Sequence, residues 1–200
     1  QNQTFKQYYV MRYFDLLNTS LNCNRMITIL DSMILVITPE MQAQINRWNT
    51  WGGSYAQWQQ NVQDLRNFIL TRCTTVVNNF APCNGTTGPF PIKLNVVPAG
   101  AGTVDVNSIN VSSFIWSATY PGGINMNFVA HPNAPYCFDH WEFQNHTPVP
   151  NINDSAVAVN LTMGDSIIAY FTTSGSTPVI TASDSVICAG DSSVLNVSSG

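Results

Sequence analysis

Pro91-Ile-Lys-Leu-Asn-Val-Val97 sets an apolar side chain at every second position, Ile92, Leu94 and Val96. That is the period of a strand with one face in a core and one in solvent. The period recurs towards the carboxyl terminus. Val104 and Val106 follow the Pro98-Ala-Gly-Ala-Gly102 turn, and Ile124, Met126 and Phe128 follow Pro121-Gly122-Gly123. Val157, Val159 and Leu161 lead through Met163-Gly164-Asp165 into a strand over 167–172. Short strands between glycine and proline turns predict an antiparallel β-domain over 90–173. A Thr/Ser/Gly linker over 172–177 then precedes 178–200, whose strand-turn-strand pattern around Cys188-Ala-Gly-Asp191 reads as the start of a β-sandwich.

Before Pro91 the period is helical. Residues 4–17 place Phe5, Tyr9, Tyr13, Leu16 and Leu17 on one side of a helix. A second helix carries Met26, Ile29, Leu30, Met33, Ile34 and Ile37, and Thr38-Pro39-Glu40 predicts a kink or a restart ending near Trp48. Ser54 caps a third, whose apolar face is Tyr55, Trp58, Val62, Leu65, Phe68, Ile69, Cys73, Val76 and Phe80. Helices with short connections pack antiparallel. The fold class expected is therefore α+β and multidomain: an antiparallel helical bundle segment (1–84), an antiparallel β-domain (90–173) and a partial β-sandwich (178–200). The aromatic load of the helices calls for a covering surface beyond the bundle itself.

Composition narrows the class of protein. Charged residues are 9% of the chain, against roughly 25% in an average soluble protein, and Asn, Ser, Thr and Gln replace them as in exported proteins. Residues 1–84 hold six basic and four acidic side chains, whereas 85–200 hold Lys93 against seven acidic ones. The two compositions suggest two modules, and neither neutralises enough phosphates to take nucleic acid as a partner. No apolar run reaches the roughly 18–20 residues of a membrane span, so no membrane segment is expected. The longest, Met26 to Pro39, is broken by Thr28, Asp31, Ser32 and Thr38. With Gln at position 1, no leader after it and a strand pattern running to Gly200, both ends read as cuts within a longer chain.

The five cysteines, 23, 73, 83, 137 and 188, form no CxxC pair. Structural disulfides are their leading use in an oxidising compartment. The pair expected is Cys73 with Cys83, closing a short loop after a helix, with Cys23 competing for either partner. The bland alternative is five buried thiols. Trp48, Trp51, Tyr55 and Trp58 form an aromatic cluster of the kind that stacks on sugars, although core packing is the commoner use. His140, Glu142 and His146 share one face of a straight strand, which suits metal ligands; the bland reading makes the Trp141 face the core face and leaves these side chains on solvent. Asp154, Asp165, Asp184 and Asp191 lie near turns without a calcium-loop spacing, which favours turn formation. No catalytic, cofactor-binding or metal residue is assigned.

Three ordered segments carry a resemblance: Arg12-Tyr-Phe-Asp-Leu-Leu-Asn18, the run MITILDSMILVITPE over 26–40, and WQQNVQDLRNFILTR over 58–72. Together they resemble the carboxyl-terminal helices of the CotH kinase family, as found in multidomain secreted proteins of Bacteroidetes-type bacteria. Pro98-Ala-Gly-Ala-Gly-Thr-Val104, Tyr120-Pro-Gly-Gly123, Phe138-Asp-His-Trp141 and residues 163–171 are similar to β-grasp-like repeats of bacterial surface proteins, including the internalin B repeat. The pattern departs at Cys137. Val186-Ile-Cys-Ala-Gly-Asp191 looks like the opening of an immunoglobulin-like or PKD-like domain. The resemblance implies an atypical kinase whose ATP and magnesium motifs lie upstream, so that cofactors and catalysis are expected of a parent protein and none of this fragment. The expected roles are helices that brace the upstream kinase-like domain and β-modules that act as spacers at the cell surface. The alternative is an adhesin-type module binding a glycan or a host surface protein.

Overall fold

The computed structural model describes residues 2–48, 53–173, 179–182 and 194–198. Three helices come first: α1 (Gln3–Asn18), α2 (Cys23–Trp48) and α3 (Tyr55–Cys83). Side chains satisfy the free N–H groups at two of their starts. Asn2 accepts from the Phe5 N–H at 3.1 Å and Ser54 from the Gln57 N–H at 3.2 Å. Three rungs at i,i+4 stiffen the solvent side of α3, from Gln57 to Asn61, Gln60 to Asp64 and Gln63 to Asn67. α2 does not restart at Pro39 but continues to Trp48. Proline has no N–H to give to the preceding turn, while the Thr38 hydroxyl donates to the Ile34 carbonyl at 2.5 Å.

The helices do not form one bundle. α2 and α3 pair antiparallel, as the contacts near their ends require: Cys23 is bonded to Cys73, and Arg66 bonds Asp31. α1 instead turns its buried face, Val10, Met11 and Phe14, onto the β-domain. Of the stripe expected to be buried, Phe5 and Tyr9 are 67% and 46% exposed, while Tyr13, Leu16 and Leu17 are half-buried. A 3.6-residue period leaves two apolar stripes on this helix. The one whose side chains fit between the strands is the one that goes in.

The strands are β1 (Thr87–Val97), β2 (Gly102–Val106), β3 (Ile109–Val111), β4 (Trp116–Gly122), β5 (Asn125–Pro132), β6 (Tyr136–Phe143), β7 (Ala156–Asn160) and β8 (Asp165–Thr173). They form two four-stranded sheets, ordered β4-β1-β8-β6 and β3-β2-β5-β7. Every pair is antiparallel except β1 with β8, where Leu94 lies opposite Ile167 in a parallel ladder. The chain passes through the second sheet between these strands, which supplies the long crossover that a parallel pair needs. Beyond them β9 (Val179–Ala182) and β10 (Leu195–Ser198) form a separate antiparallel pair. The Cys188–Asp191 turn expected between them lies outside the described residues, as does most of the 172–177 linker.

One core joins the two sheets and α1. Ile92, Leu94 and Val96 of β1, Val104 and Val106 of β2, Met126 and Phe128 of β5, Val157 and Val159 of β7 and Ile167 and Ala169 of β8 all face it. Phe14 of α1 adds to it and lies 6.3 Å from Tyr120, centroid to centroid. At the end of β4 the packing admits no side chain: a Cβ on Gly122 would sit 1.9 Å from the Leu161 carbonyl oxygen.

The disulfide corrects the expected Cys73–Cys83 pair. Both residues lie on α3, ten positions apart, and at about 1.5 Å rise per residue they are separated by roughly twice the reach of a disulfide. Cys23 at the start of α2 is instead 6.0 Å from Cys73, Cα to Cα. Cys83 and Cys137 are exposed free thiols. The bond spans 50 residues, so Cys23→Ser is expected to destabilise the α2–α3 hairpin by about 2–4 kcal/mol. Hydrogen exchange in α2 should accelerate to match, while exchange of the β1 and β8 amides in the β-core is unchanged.

Candidate functional site

The seam between α1 and the β-domain is built around a carboxylate. Asp15 is fully buried, and four donors reach it. The Tyr120 hydroxyl donates at 2.7 Å and Asn107 Nδ2 at 3.3 Å to Oδ1; the Ser108 N–H at 3.1 Å and the Ser108 hydroxyl donate to Oδ2. Asn107 takes a positive φ of 50° at the β2–β3 turn, which asparagine tolerates better than most residues. That conformation brings its side chain and the Ser108 N–H to one point. Next to the node Asn18 bridges to β4, donating to the Thr119 carbonyl at 2.8 Å and accepting the Thr119 N–H at 3.1 Å. Among the described residues no buried side-chain polar atom lacks a partner.

Burial, and then the neighbouring Asp15 charge, push the Tyr120 phenol well above its ordinary range. The sign follows from linkage: a raised folded-state value favours the protonated phenol, so this contribution is complete below about pH 10 and is lost as pH rises through the folded-state value. Stability is expected to fall by about 1.4 kcal/mol per pH unit above pH 10 on account of Tyr120. Tyr120→Phe removes that part of the slope. Chemical denaturation at three alkaline pH values, with both proteins, measures the difference.

Above Asp15 the seam opens into a groove of about 350 Å³. Gln7, Tyr8 and Arg12 of α1 line one side, and Ser108 and Asn127 line the other. Arg12 Nη1 donates to the Ser108 hydroxyl oxygen at 2.8 Å, so the guanidinium, the serine and the buried carboxylate form a chain from surface to floor. None of this was legible beforehand. Nothing local in the sequence marks Asp15 as buried, and Asn107 and Ser108 are ordinary turn residues without the fold.

A second buried carboxylate, Asp165, stands at the start of β8. Its Oδ1 accepts the N–H groups of Gln144, Asn145 and Ser166 at 2.9, 3.0 and 2.8 Å. His146 Nδ1 lies 2.6 Å from Oδ2, and His146 Nε2 accepts the Thr162 N–H at 3.0 Å. The second bond requires an unprotonated Nε2, which places the ring proton on Nδ1, facing the carboxylate. His146 is therefore a structural clasp. His140 is stacked on Tyr170 with centroids 4.7 Å apart, and Glu142 accepts the Tyr170 hydroxyl at 2.9 Å. Trp141 is fully buried. Of the three side chains considered as ligands, His140 and Glu142 are thus engaged by Tyr170 and His146 by Asp165.

Of the aromatic cluster, Tyr55 and Trp58 lie 5.2 Å apart by ring centroids and are half-buried. Trp48 is 55% exposed with the Arg47 guanidinium 5.2 Å from its ring centroid. Trp51 lies outside the described residues, as do Asp184 and Asp191. Asp154 is a turn residue, accepting from Asn151 Nδ2. Among the described residues no three His, Cys, Asp or Glu side chains converge on one point.

The helical hairpin is the other notable surface. Met33, Leu35 and Val36 of α2 and Phe68 of α3 are each more than 60% exposed. By length and apolar composition alone α2 could cross a membrane. A reading by uninterrupted runs misses this, because an average over a helix tolerates Asp31 and Ser32. In the fold Asp31 is paired with Arg66 and the helix is bonded to the polar α3, which ties it sideways to a water-facing neighbour.

Residues 1–76 match the family model described as CotH kinase protein. No curated protein matches the chain. No solved structure matches it either.

Proposed function

We propose that this chain is the carboxyl-terminal part of a CotH-like protein, in which the α2–α3 hairpin braces a kinase-like domain and the β-domain acts as an extracellular spacer. The observation that carries this reading is the coincidence of the family match with the exposed apolar face. The match ends at residue 76, inside α3, and it takes in the exposed apolar side chains of the hairpin, Met33, Leu35, Val36 and Phe68. An apolar patch of that kind on a soluble protein marks an interaction surface. The Cys23–Cys73 bond supports an oxidising compartment outside the cytoplasm. Phe80 and Ala81 of α3 join the same core as α1, which supports the spacer role, since it couples hairpin and β-domain through packed side chains. Any phosphoryl transfer, with its ATP and magnesium, then belongs to residues outside this chain.

The test is reconstitution. The polypeptide encoded before Gln1 is expressed separately and mixed with this chain. Association that protects the amides around Met33 and Phe68 from exchange, and that is lost in Val36→Asp with Phe68→Asp, is the expected result. If the two pieces ignore each other, or if the region upstream is another β-repeat, the bracing role is wrong.

A further inference from the structure

We propose that the groove between α1 and the β2–β3 turn binds a short uncharged saccharide. Its volume, about 350 Å³, falls within the range of small-molecule sites. Tyr8 stands at its rim, 64% exposed, and offers a flat face for the C–H side of a sugar ring, the use for which an apolar ring with a polar tip is suited. Exposed polar side chains are ordinary singly, but here several with unused capacity converge on one concave place. Among the described residues the Asn127 side chain makes no hydrogen bond, and the Gln7 amide donates to the Asn125 carbonyl at 3.3 Å while its own oxygen is unengaged. A carboxamide presents a donor and an acceptor side by side, which matches a hydroxyl that does both. The bond to Ser108 uses one of the five N–H donors of Arg12.

Charge selects among ligands. Arg12 and Asp15 contribute one charge of each sign, and the carboxylate is the fixed one, so the groove has no net attraction for an anion. A phosphate or carboxylate would meet Asp15 beneath Arg12, and like charges at close range disfavour each other. A cation fares no better, because the Asp15 oxygens are already taken by four donors. A neutral polyol meets neither obstacle. Asp15 then acts as a positioning residue, holding Ser108 and through it Arg12, without touching the sugar. The inference is independent of the bracing role of the hairpin, since the groove lies on the other side of α1 from Phe80, whose ring stacks on Tyr13 at 4.1 Å.

The experiment uses residues 1–200 with nitrogen-labelled side-chain amides, titrated with cellobiose, maltose, lactose and diacetylchitobiose, and with glucuronate and inorganic phosphate for comparison. Saturable movement of the Asn127 and Gln7 amide signals with at least one disaccharide is expected at millimolar concentration. Tyr8→Ala and Asn127→Ala, both at exposed positions, should each weaken it about tenfold without disturbing other signals. Silence of both amides towards all four disaccharides overturns the proposal. So does a response to glucuronate or phosphate alone, an undiminished response in the two variants, or movement confined to the Trp58 indole, which would assign the sugar to the tip of the hairpin.

Discussion

Asp15→Ala lowers the unfolding free energy by about 3–5 kcal/mol, the loss expected when one member of a buried charged network is removed. The reasoning is a comparison of two states of the same donors. With Asp15 present, the Tyr120 hydroxyl, the Asn107 amide and both Ser108 donors end on a carboxylate out of contact with water. With alanine there, Tyr120 keeps its burial and loses its acceptor, and an unpartnered buried polar group costs roughly 1–3 kcal/mol by itself. The void left by the carboxylate adds to this. Against a total stability of roughly 5–15 kcal/mol for a domain, the variant is expected to be folded but marginal. Tyr120→Phe removes one donor of four and should cost about 1–2 kcal/mol. The double variant then costs less than the sum, because Tyr120 has no charge left to serve once Asp15 is gone. Urea unfolding of the four proteins closes the cycle, and strict additivity would show that the two groups do not interact.

Trp141→Ala is the second large effect, also about 3–5 kcal/mol. The indole is fully buried and lies within 5.9 Å of Phe128, 5.5 Å of Phe138 and 6.2 Å of Phe143 by ring centroids. It bridges the sheets, since Phe128 belongs to β5 and Trp141 to β6. Its Nε1–H also donates to the Asp154 carbonyl at 2.9 Å and pins the β6–β7 connection. Trp141→Phe retains the ring packing and loses that bond, so about 1–2 kcal/mol is expected of it. Thermal unfolding followed by far-ultraviolet circular dichroism ranks the two. A phenylalanine variant as weak as the alanine one would transfer the main role from packing to the hydrogen bond.

The parts of the fold that could be read in advance are those with a strong local period. β1 announces itself because Ile92, Leu94 and Val96 alternate with polar neighbours, and each is buried. The cap at Ser54 is legible because the need of a helix start for a side-chain acceptor is itself local. β4 is harder to see, since of its inward residues Ala118 is small and Tyr120 is followed at once by the Pro121-Gly122 turn signal, although Ser117 and Thr119 keep the alternation. The disulfide defeats a reading by spacing: Cys73 and Cys83 are near in sequence and far apart along one helix, while Cys23 is far in sequence and adjacent in space. The groove and its carboxylate were out of reach for the same reason. Asp15 meets Ser108 and Tyr120 across 93 and 105 residues.

The sequence by itself determined the order of the elements, three helices and then strands, because periods of 3.6 and 2 are properties of neighbouring residues. Tertiary structure alone decided which stripe of α1 is buried, that β1 and β8 run parallel, which cysteines join, and that Asp15, Ser108 and Arg12 form one chain at the floor of a groove. Those outcomes turn on the complementarity of surfaces brought together by the whole fold, and a local pattern of apolar residues carries no information about its partner.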